Sequence, residues 1–504
     1  MRRRSFLQTA GAASVASGGR AAETRPNILF IVGDNQQWGT IANRSQCRTP
    51  HINRLAGQGM NFTCAHTTAG VCSPARNALL TGSFPWAFRT FNHPDNSSAV
   101  TTDMAPDVVT YAMRMKEAGY RMGYNGKWHS SVRRIPTDLG YTDIGAPKRY
   151  KDEALKKVER LGLSKVRADQ RLTNVRVVSW PGSKPWGIWG YTEGKEEETE
   201  NHIIADTGIQ MMKRFAGGNQ PWMVEIHFPE ASRAWPLRKY RQRYDARDIP
   251  VAKNFHENFD GKPNMVKREA LAYGPMTEDD FREGRAFYYA SFEQLDTQVG
   301  RILQALDETG QAGRTLVIYA SDHGAPWGAH RLWFPCFAPY EELYKVPMVM
   351  RWPGRIQPGT VCDKLVQFHD LAHTFIDMLG LKPLPHRHGV SIMPLFEDPK
   401  RSGWRDMIQC SWWGQNYLLQ HWITTTPRYK YVFNGFDFDE CYDLVNDPDE
   451  LRNLVNQPAA ASVVADMQAR TYELMSQYGD PFGDTSWDAR WHAQRYLPRG
   501  RRMR

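Results

Sequence analysis

Three stretches of this chain are almost wholly apolar and then stop on polar residues: "PNILFIVGDN" at 26–35, "QPWMVEIHFPE" at 220–230 and "RTLVIYASDHG" at 314–324. A strand with one wet face alternates apolar and polar residues, so runs of this kind are buried on both faces, as in a parallel sheet. A fourth candidate, "YRMGYNGKWH" at 120–129, follows the amphipathic "DVVTYAMRMKEAG", whose Gly119 suits a helix C-terminus. Before the 314 strand, residues 277–309 carry helix-start acids, helical spacing and the stop Gly310. Strands alternating with helices predict an α/β fold: a large, mostly parallel sheet covered by helices on both faces. Ligands of such sheets bind beyond the carboxyl ends of the strands. All four runs end there on groups that can hold a ligand: Asp34 and Asn35, Lys127 and His129, His227 and Glu230, Asp322 and His323.

Beyond about 395 the pattern changes to short runs, with Asn434-Gly435 as an expected hairpin turn and a helix near 459–478. The expected organisation is a catalytic domain over 25–395, a small antiparallel-sheet-plus-helix subdomain over 396–485 and a basic tail over 486–504. Residues 1–22, with Arg2, Arg3 and Arg4 before a short stretch of small and apolar residues, resemble a twin-arginine export signal, which implies a periplasmic or extracellular enzyme. The formal charge of +10 comes from these ends: without the four arginines of 1–22 and the six of 490–504, the 64 basic residues fall to 54, equal to the 54 acids. A neutral body gives nucleic-acid binding no support. No apolar run reaches the roughly 20 residues that span a bilayer. Seven cysteines, an odd number, leave at least one thiol unpaired, and no CxxC pair suggests a zinc site.

Cys72 is the natural odd one out. It stands before Ser73-Pro74, good residues for opening a helix, with Arg76 one turn on and Thr81-Gly82 as a stop. The helix dipole and Arg76 favour an anion here, a thiolate or a substrate oxyanion, while the plain alternative is a buried structural cysteine. Tryptophans gather at Trp180, Trp186 and Trp189 and again at Trp404, Trp412, Trp413 and Trp422; such rings serve a core or stack on sugars.

"CSPARNALLTG" matches the Cys-x-Pro-x-Arg-x4-Thr-Gly pattern of type I sulfatases, members of the alkaline phosphatase superfamily. "RPNILFIVGDNQQWG", "TPHINRLAGQGMNFTCAHTT", "GYRMGYNGKWH", "YASDHG", "PYEELYKVPMV" and "YDLVNDPDELRNL" resemble that family's segments in the same order. The resemblance implies an alkaline phosphatase-like fold and a sulfuric ester hydrolase acting on a sulfated carbohydrate. It also implies that a maturation enzyme converts Cys72 to formylglycine, whose hydrated aldehyde is the nucleophile. Asp34, Asn35, Asp322 and His323, with position 72 itself, match the family's metal-binding places, where one calcium ion is usual. Arg76, Lys127 and His129 match residues that orient the nucleophile and bind sulfate. Three positions depart from the pattern. Asn35 replaces a second aspartate, Glu230 replaces the last histidine of His-x-Pro-His, and a lysine expected shortly before Tyr340 gives way to Pro335 or Cys336. Glu230 is then the candidate acid for the leaving group, with His227 next. The rivals are a phosphonate monoester or phosphodiester hydrolase on the same fold, and a catalytically silent sulfated-glycan binder.

Overall fold

The computed structural model describes residues 25–96, 99–165, 171–178, 185–229, 234–415, 419–435 and 437–480. The expected export segment, the basic tail, Trp180 and Glu230 lie outside the described residues. The strands of the main sheet are β1 (Asn27–Gly33), β2 (Met60–Phe62), β3 (Arg121–Lys127), β4 (Asp143–Lys148), β5 (Trp222–His227), β6 (Thr315–Ser321), β7 (Met348–Arg351) and β8 (Thr360–Cys362). They form one 8-stranded sheet in the order β8-β2-β7-β6-β1-β5-β3-β4. Only β7 runs against the rest.

The main helices are α1 (Cys72–Thr81), α2 (Tyr111–Glu117), α3 (Glu200–Ala216), α4 (Glu278–Glu308), α5 (Asp370–Met378) and α6 (Ala461–Tyr478). Alternate residues of β1 divide between two hydrophobic cores. Leu29 and Ile31 pack with α3 and α4, whereas Ile28, Phe30 and Val32 pack with α1, α2 and α5. Both faces are therefore covered, which is why β1 reads as an unbroken apolar run. Thr277 caps α4, accepting from the Asp280 N–H, and Gly310 follows its end at φ +70°.

The C-terminal sheet is antiparallel, in the order β9 (Ile408–Trp412), β10 (His421–Thr425), β11 (Tyr429–Asn434) and β12 (Glu440–Asp443), with α6 packed against its two middle strands. The hairpin expected at Asn434-Gly435 joins β11 to β12, with a connection longer than a two-residue turn. The register pairs Val432 with Glu440, and in the wider connection the Asp439 carboxylate accepts the Asn434 N–H at 2.9 Å. All seven cysteines are free thiols.

Candidate active site

β6, β1, β5 and β3 are neighbours, so their carboxyl ends bring Asp322, Asp34, His227 and Lys127 to one edge of the sheet. The start of α1 meets them there. Cys72 is its first residue and Val71 its extended N-cap; no side chain caps the helix. The Ser73 hydroxyl, expected to cap, instead meets His93 Nδ1 at 2.9 Å. The stop falls where the sequence puts it: Gly82 lies at φ +66° and its N–H returns to the Ala78 carbonyl at 2.8 Å. A side chain there would be strained in this left-handed conformation and would press on His373.

Around Cys72 the charges interlock, all of them buried. Arg76 Nε lies 2.9 Å from Asp322 Oδ2, and its Nη2 donates to Asp34 Oδ2 at 3.3 Å. Lys127 Nζ donates to the same Asp34 oxygen. His323 Nε2 is 3.1 Å from Cys72 Sγ, while its Nδ1–H donates to the Gly324 carbonyl at 2.7 Å, leaving Nε2 to face the thiol. Burial and Asp34 push the Cys72 thiol up, but Lys127, His323 and His129 outweigh them and hold it well below the ordinary thiol range. Burial also raises Asp34, yet Lys127, Arg76 and His323 keep it far below the usual carboxylate range. Asp322 is pushed up to about 6 by burial and by Asp34. His323 is drawn up to about 9, because Asp322 and Cys72 outweigh burial.

His227 sits behind Arg76. Arg76 Nη1 donates to its Nδ1 at 2.9 Å, so Nε2 carries the proton and donates to Glu225 Oε2 at 2.9 Å. The other Glu225 oxygen accepts the Tyr111 and Tyr141 hydroxyls, each at 2.6 Å. Burial pushes His227 down to about 4, so the ring stays neutral at neutral pH. With both nitrogens engaged and the side chain 2% exposed, this geometry fits a residue that orients Arg76 better than one that protonates a leaving group. His129 lies at the other side of the cluster, its Nε2–H on Asp95 Oδ1 at 3.0 Å and its ring stacked on His93. Glu225, His93 and Asp95 escaped the sequence reading. A glutamate inside the run "WMVEIH" was a usable signal for the first; "NHPDN" offers none for the others.

Asp34, Cys72, Asp322 and His323 present ligand atoms that all lie within 4.8 Å of one another. Asn35, at φ +60°, donates an Nδ2–H to Asp34 Oδ1 at 2.7 Å, and its own Oδ1 is buried without a hydrogen-bond partner among the described residues. An orphaned oxygen beside two crowded carboxylates fits a hard divalent cation.

The sulfatase family model matches residues 26–381, and a model described as N-sulphoglucosamine sulphohydrolase, C-terminal, matches residues 328–477. The chain belongs to the sulfatase family. Its enzyme class is sulfuric ester hydrolase. An uncharacterized sulfatase, YidJ, of Escherichia coli is 26% identical over 92% of this chain and 90% of its own length. The N-acetylglucosamine-6-O-sulfatase of Bacteroides thetaiotaomicron is 21% identical over 93% of this chain and 89% of its own. Among solved structures, one in complex with its substrate D-glucosamine-2-N,6-O-disulfate covers 92% of this chain and 100% of its own at TM-score 0.73 and 19% identity. The phosphonate monoester hydrolase of Agrobacterium radiobacter covers 90% of this chain and 96% of its own at TM-score 0.71 and 21% identity. These two likenesses establish the fold.

Proposed function

We propose that this sulfatase removes sulfate esters from a carbohydrate, using a formylglycine made from Cys72 by a maturation enzyme and one calcium-class cation. The observation that carries this reading is the cluster itself: a cysteine with a depressed thiol, at the positive end of a helix, beside Arg76 and Lys127 and within a set of ligand atoms from Asp34, Asp322 and His323. Asp34, Asn35, Asp322 and His323 would hold the cation, which when bound polarises the sulfuryl oxygens. Formylglycine supplies a hydrated aldehyde, with one hydroxyl to attack sulfur and a second to expel sulfate.

The chain's own residues do the rest. Arg76 and Lys127 offer positive charge to the sulfuryl group as its equatorial oxygens gain charge. Arg76 is held for this by Asp322 on one side and by the line Glu225–His227 on the other. His129 keeps Nδ1 available to take and return a proton at position 72. Glu230 is the candidate donor to the departing sugar oxygen, a role that requires burial or nearby negative charge to raise its pKa. Carbohydrate as the substrate class is supported by the named amino-sugar sulfatase relative, and export by the arginine-led start of the sequence.

The test is a panel of substrates given to protein co-expressed with a formylglycine-generating enzyme: a sulfated amino sugar, nitrophenyl sulfate, a phosphonate monoester and a phosphodiester. The proposal expects the highest kcat/KM on the sulfated sugar. Faster phosphonate or phosphodiester hydrolysis would favour the rival enzyme. Tight binding of sulfated glycans by fully modified protein, with no sulfate released, would make it a binder.

A further inference from the structure

The bend that follows β1 is held by more bonds than a turn needs. Asn35 lies there at φ +60°, in the left-handed region that residues with a Cβ seldom enter. Its backbone carbonyl accepts two hydrogen bonds, from the Tyr288 hydroxyl at 3.1 Å and from the Trp327 indole N–H at 3.3 Å, which occupies both lone pairs. The same Tyr288 oxygen accepts the Gln37 N–H at 2.9 Å, so one phenol of α4 spans the bend from residue 35 to residue 37. Trp327 belongs to the loop after β6. Its indole stacks on the Tyr288 ring, with centroids 4.1 Å apart and an interplanar angle of 27°, and both rings are buried. Trp327 itself stands at φ +45°, an outlier for so bulky a residue. Gln37 straps the bend to that loop, its Nε2 donating to the Ala325 carbonyl at 2.6 Å and to the Pro326 carbonyl at 2.8 Å.

The side chain of Asn35 is fixed from the other direction. A carboxylate only accepts, so the bond from Asn35 Nδ2 to Asp34 Oδ1 decides which way the amide lies. Its Oδ1 is then the edge left buried without a hydrogen-bond partner among the described residues. Gln36, the next residue, donates its N–H to Ser321 Oγ at 3.1 Å, and the Ser321 hydroxyl donates to the His323 carbonyl at 2.9 Å. The pairs Asp34-Asn35 and Asp322-His323 are thereby joined through one serine. Strained backbone persists where its surroundings over-determine it, and such places gather at ligand clamps.

We infer that Tyr288 and Trp327 are positioning residues for the cation: through the Asn35 carbonyl they hold Asn35 in its left-handed conformation, which keeps the side-chain Oδ1 available to a hard divalent ion. Neither ring is a ligand; both act through Asn35, and Gln37 fastens them to the bend. This role rests on the proposed cation at Asp34, Asn35, Asp322 and His323.

Calcium binding to the unmodified protein, measured by calorimetry, tests the role without any turnover. Tyr288→Phe keeps the ring and its stacking and removes only the hydroxyl; the Kd for calcium should rise roughly 10-fold. A double-mutant cycle supplies the readout that a merely structural role would not give. Asn35→Gly removes the amide and suits the left-handed backbone, while Asp34, Asp322 and His323 remain to bind calcium more weakly. In that background Tyr288→Phe should leave the Kd unchanged to within about twofold. Gln37→Ala, which removes a half-buried side chain that the fold can spare, should weaken calcium binding by roughly 3-fold. Equal Kd values for the wild type, Tyr288→Phe and Gln37→Ala would overturn the inference and leave the cation reading standing. The same loss from Tyr288→Phe with and without the Asn35 side chain would also overturn it, because the phenol would then not act through Asn35. A wild type that binds no calcium would overturn the cation reading and this role with it.

Discussion

Around Lys430, in β11, one ammonium meets three acceptors: Glu341 Oε1 at 2.7 Å, Glu450 Oε1 at 2.8 Å and the Pro339 carbonyl at 3.0 Å. Two carboxylates and a carbonyl share one ammonium. Around Cys72, by contrast, Arg76 and Lys127 share Asp34, burial and Asp34 push Asp322 up to about 6, and Asn35 Oδ1 is buried without a hydrogen-bond partner among the described residues. Apart from Glu341, whose side chain is 14% exposed, both clusters are buried, and they are built from similar side chains. The first ties the C-terminal sheet to the short helix Glu341–Tyr344; the second gathers its charged groups at the ends of four strands. The candidate site differs in its ligand set: Asp34, Cys72, Asp322 and His323 present ligand atoms within 4.8 Å of one another, whereas Lys430 pairs with the carboxylates around it.

Replacing Cys72 by Ala should break the comparison most completely. Turnover should fall to the background rate while circular dichroism and the thermal midpoint stay close to those of the wild type, because the Cys72 cluster does not hold the fold. Retained turnover would remove Cys72 from the chemistry. The Lys430 cluster should respond in the opposite sense. Lys430→Met takes the ammonium from buried Glu450 and from Glu341, which keeps His66, and should cost about 3–5 kcal/mol of stability, seen as a large drop in thermal midpoint, with kcat per folded molecule unchanged. A small drop would mean that the glutamates find other partners.

Glu230→Gln tests the proposed leaving-group acid. Hydrolysis of a sulfated sugar should slow by roughly 10²–10⁴-fold, and that of nitrophenyl sulfate far less, since a nitrophenolate leaves without a proton. Equal losses on both substrates would exclude Glu230 as the leaving-group acid. Asn35→Asp exchanges a donor to Asp34 for a third carboxylate, so calcium measured by calorimetry should bind more tightly than to the wild type. Weaker binding, or none by either protein, would end the metal assignment.

The smallest expected effect concerns His421 of β10, whose Nε2 accepts the Tyr344 hydroxyl at 2.9 Å and which burial pushes down to about 3. The unfolded chain takes a proton near pH 6.5 and the folded one does not until about pH 3. This histidine's contribution is therefore whole above 6.5 and shrinks as pH falls toward 3. His421→Gln should flatten the loss of stability between pH 6.5 and 4 by up to about 1.4 kcal/mol per pH unit. Parallel slopes for the two proteins would contradict this.

Much of this contrast was legible before any coordinates. The unbroken runs at 27–33 and 315–321 announced strands buried on both faces, and their polar endings announced where the sheet would present ligand-capable groups. Residues close in sequence, such as Cys72 and Arg76 on one helix, also read correctly. What the sequence hid depends on long-range packing. Glu225 faces two tyrosines from other segments, and Asp95 meets His129 across 34 positions. The orienting place of His227 follows from Arg76 lying against one nitrogen and Glu225 against the other. Ser73 as a cap was a sound local expectation, lost because His93 competes for the hydroxyl.

The most direct test of the central claim is the mass of the peptide that contains residue 72, measured in protein made with and without a formylglycine-generating enzyme and set against sulfate released by the same samples. The account predicts that specific activity rises in proportion to the fraction of Cys72 converted to formylglycine and vanishes when the thiol is intact. Full activity in protein whose Cys72 is wholly unmodified would contradict it.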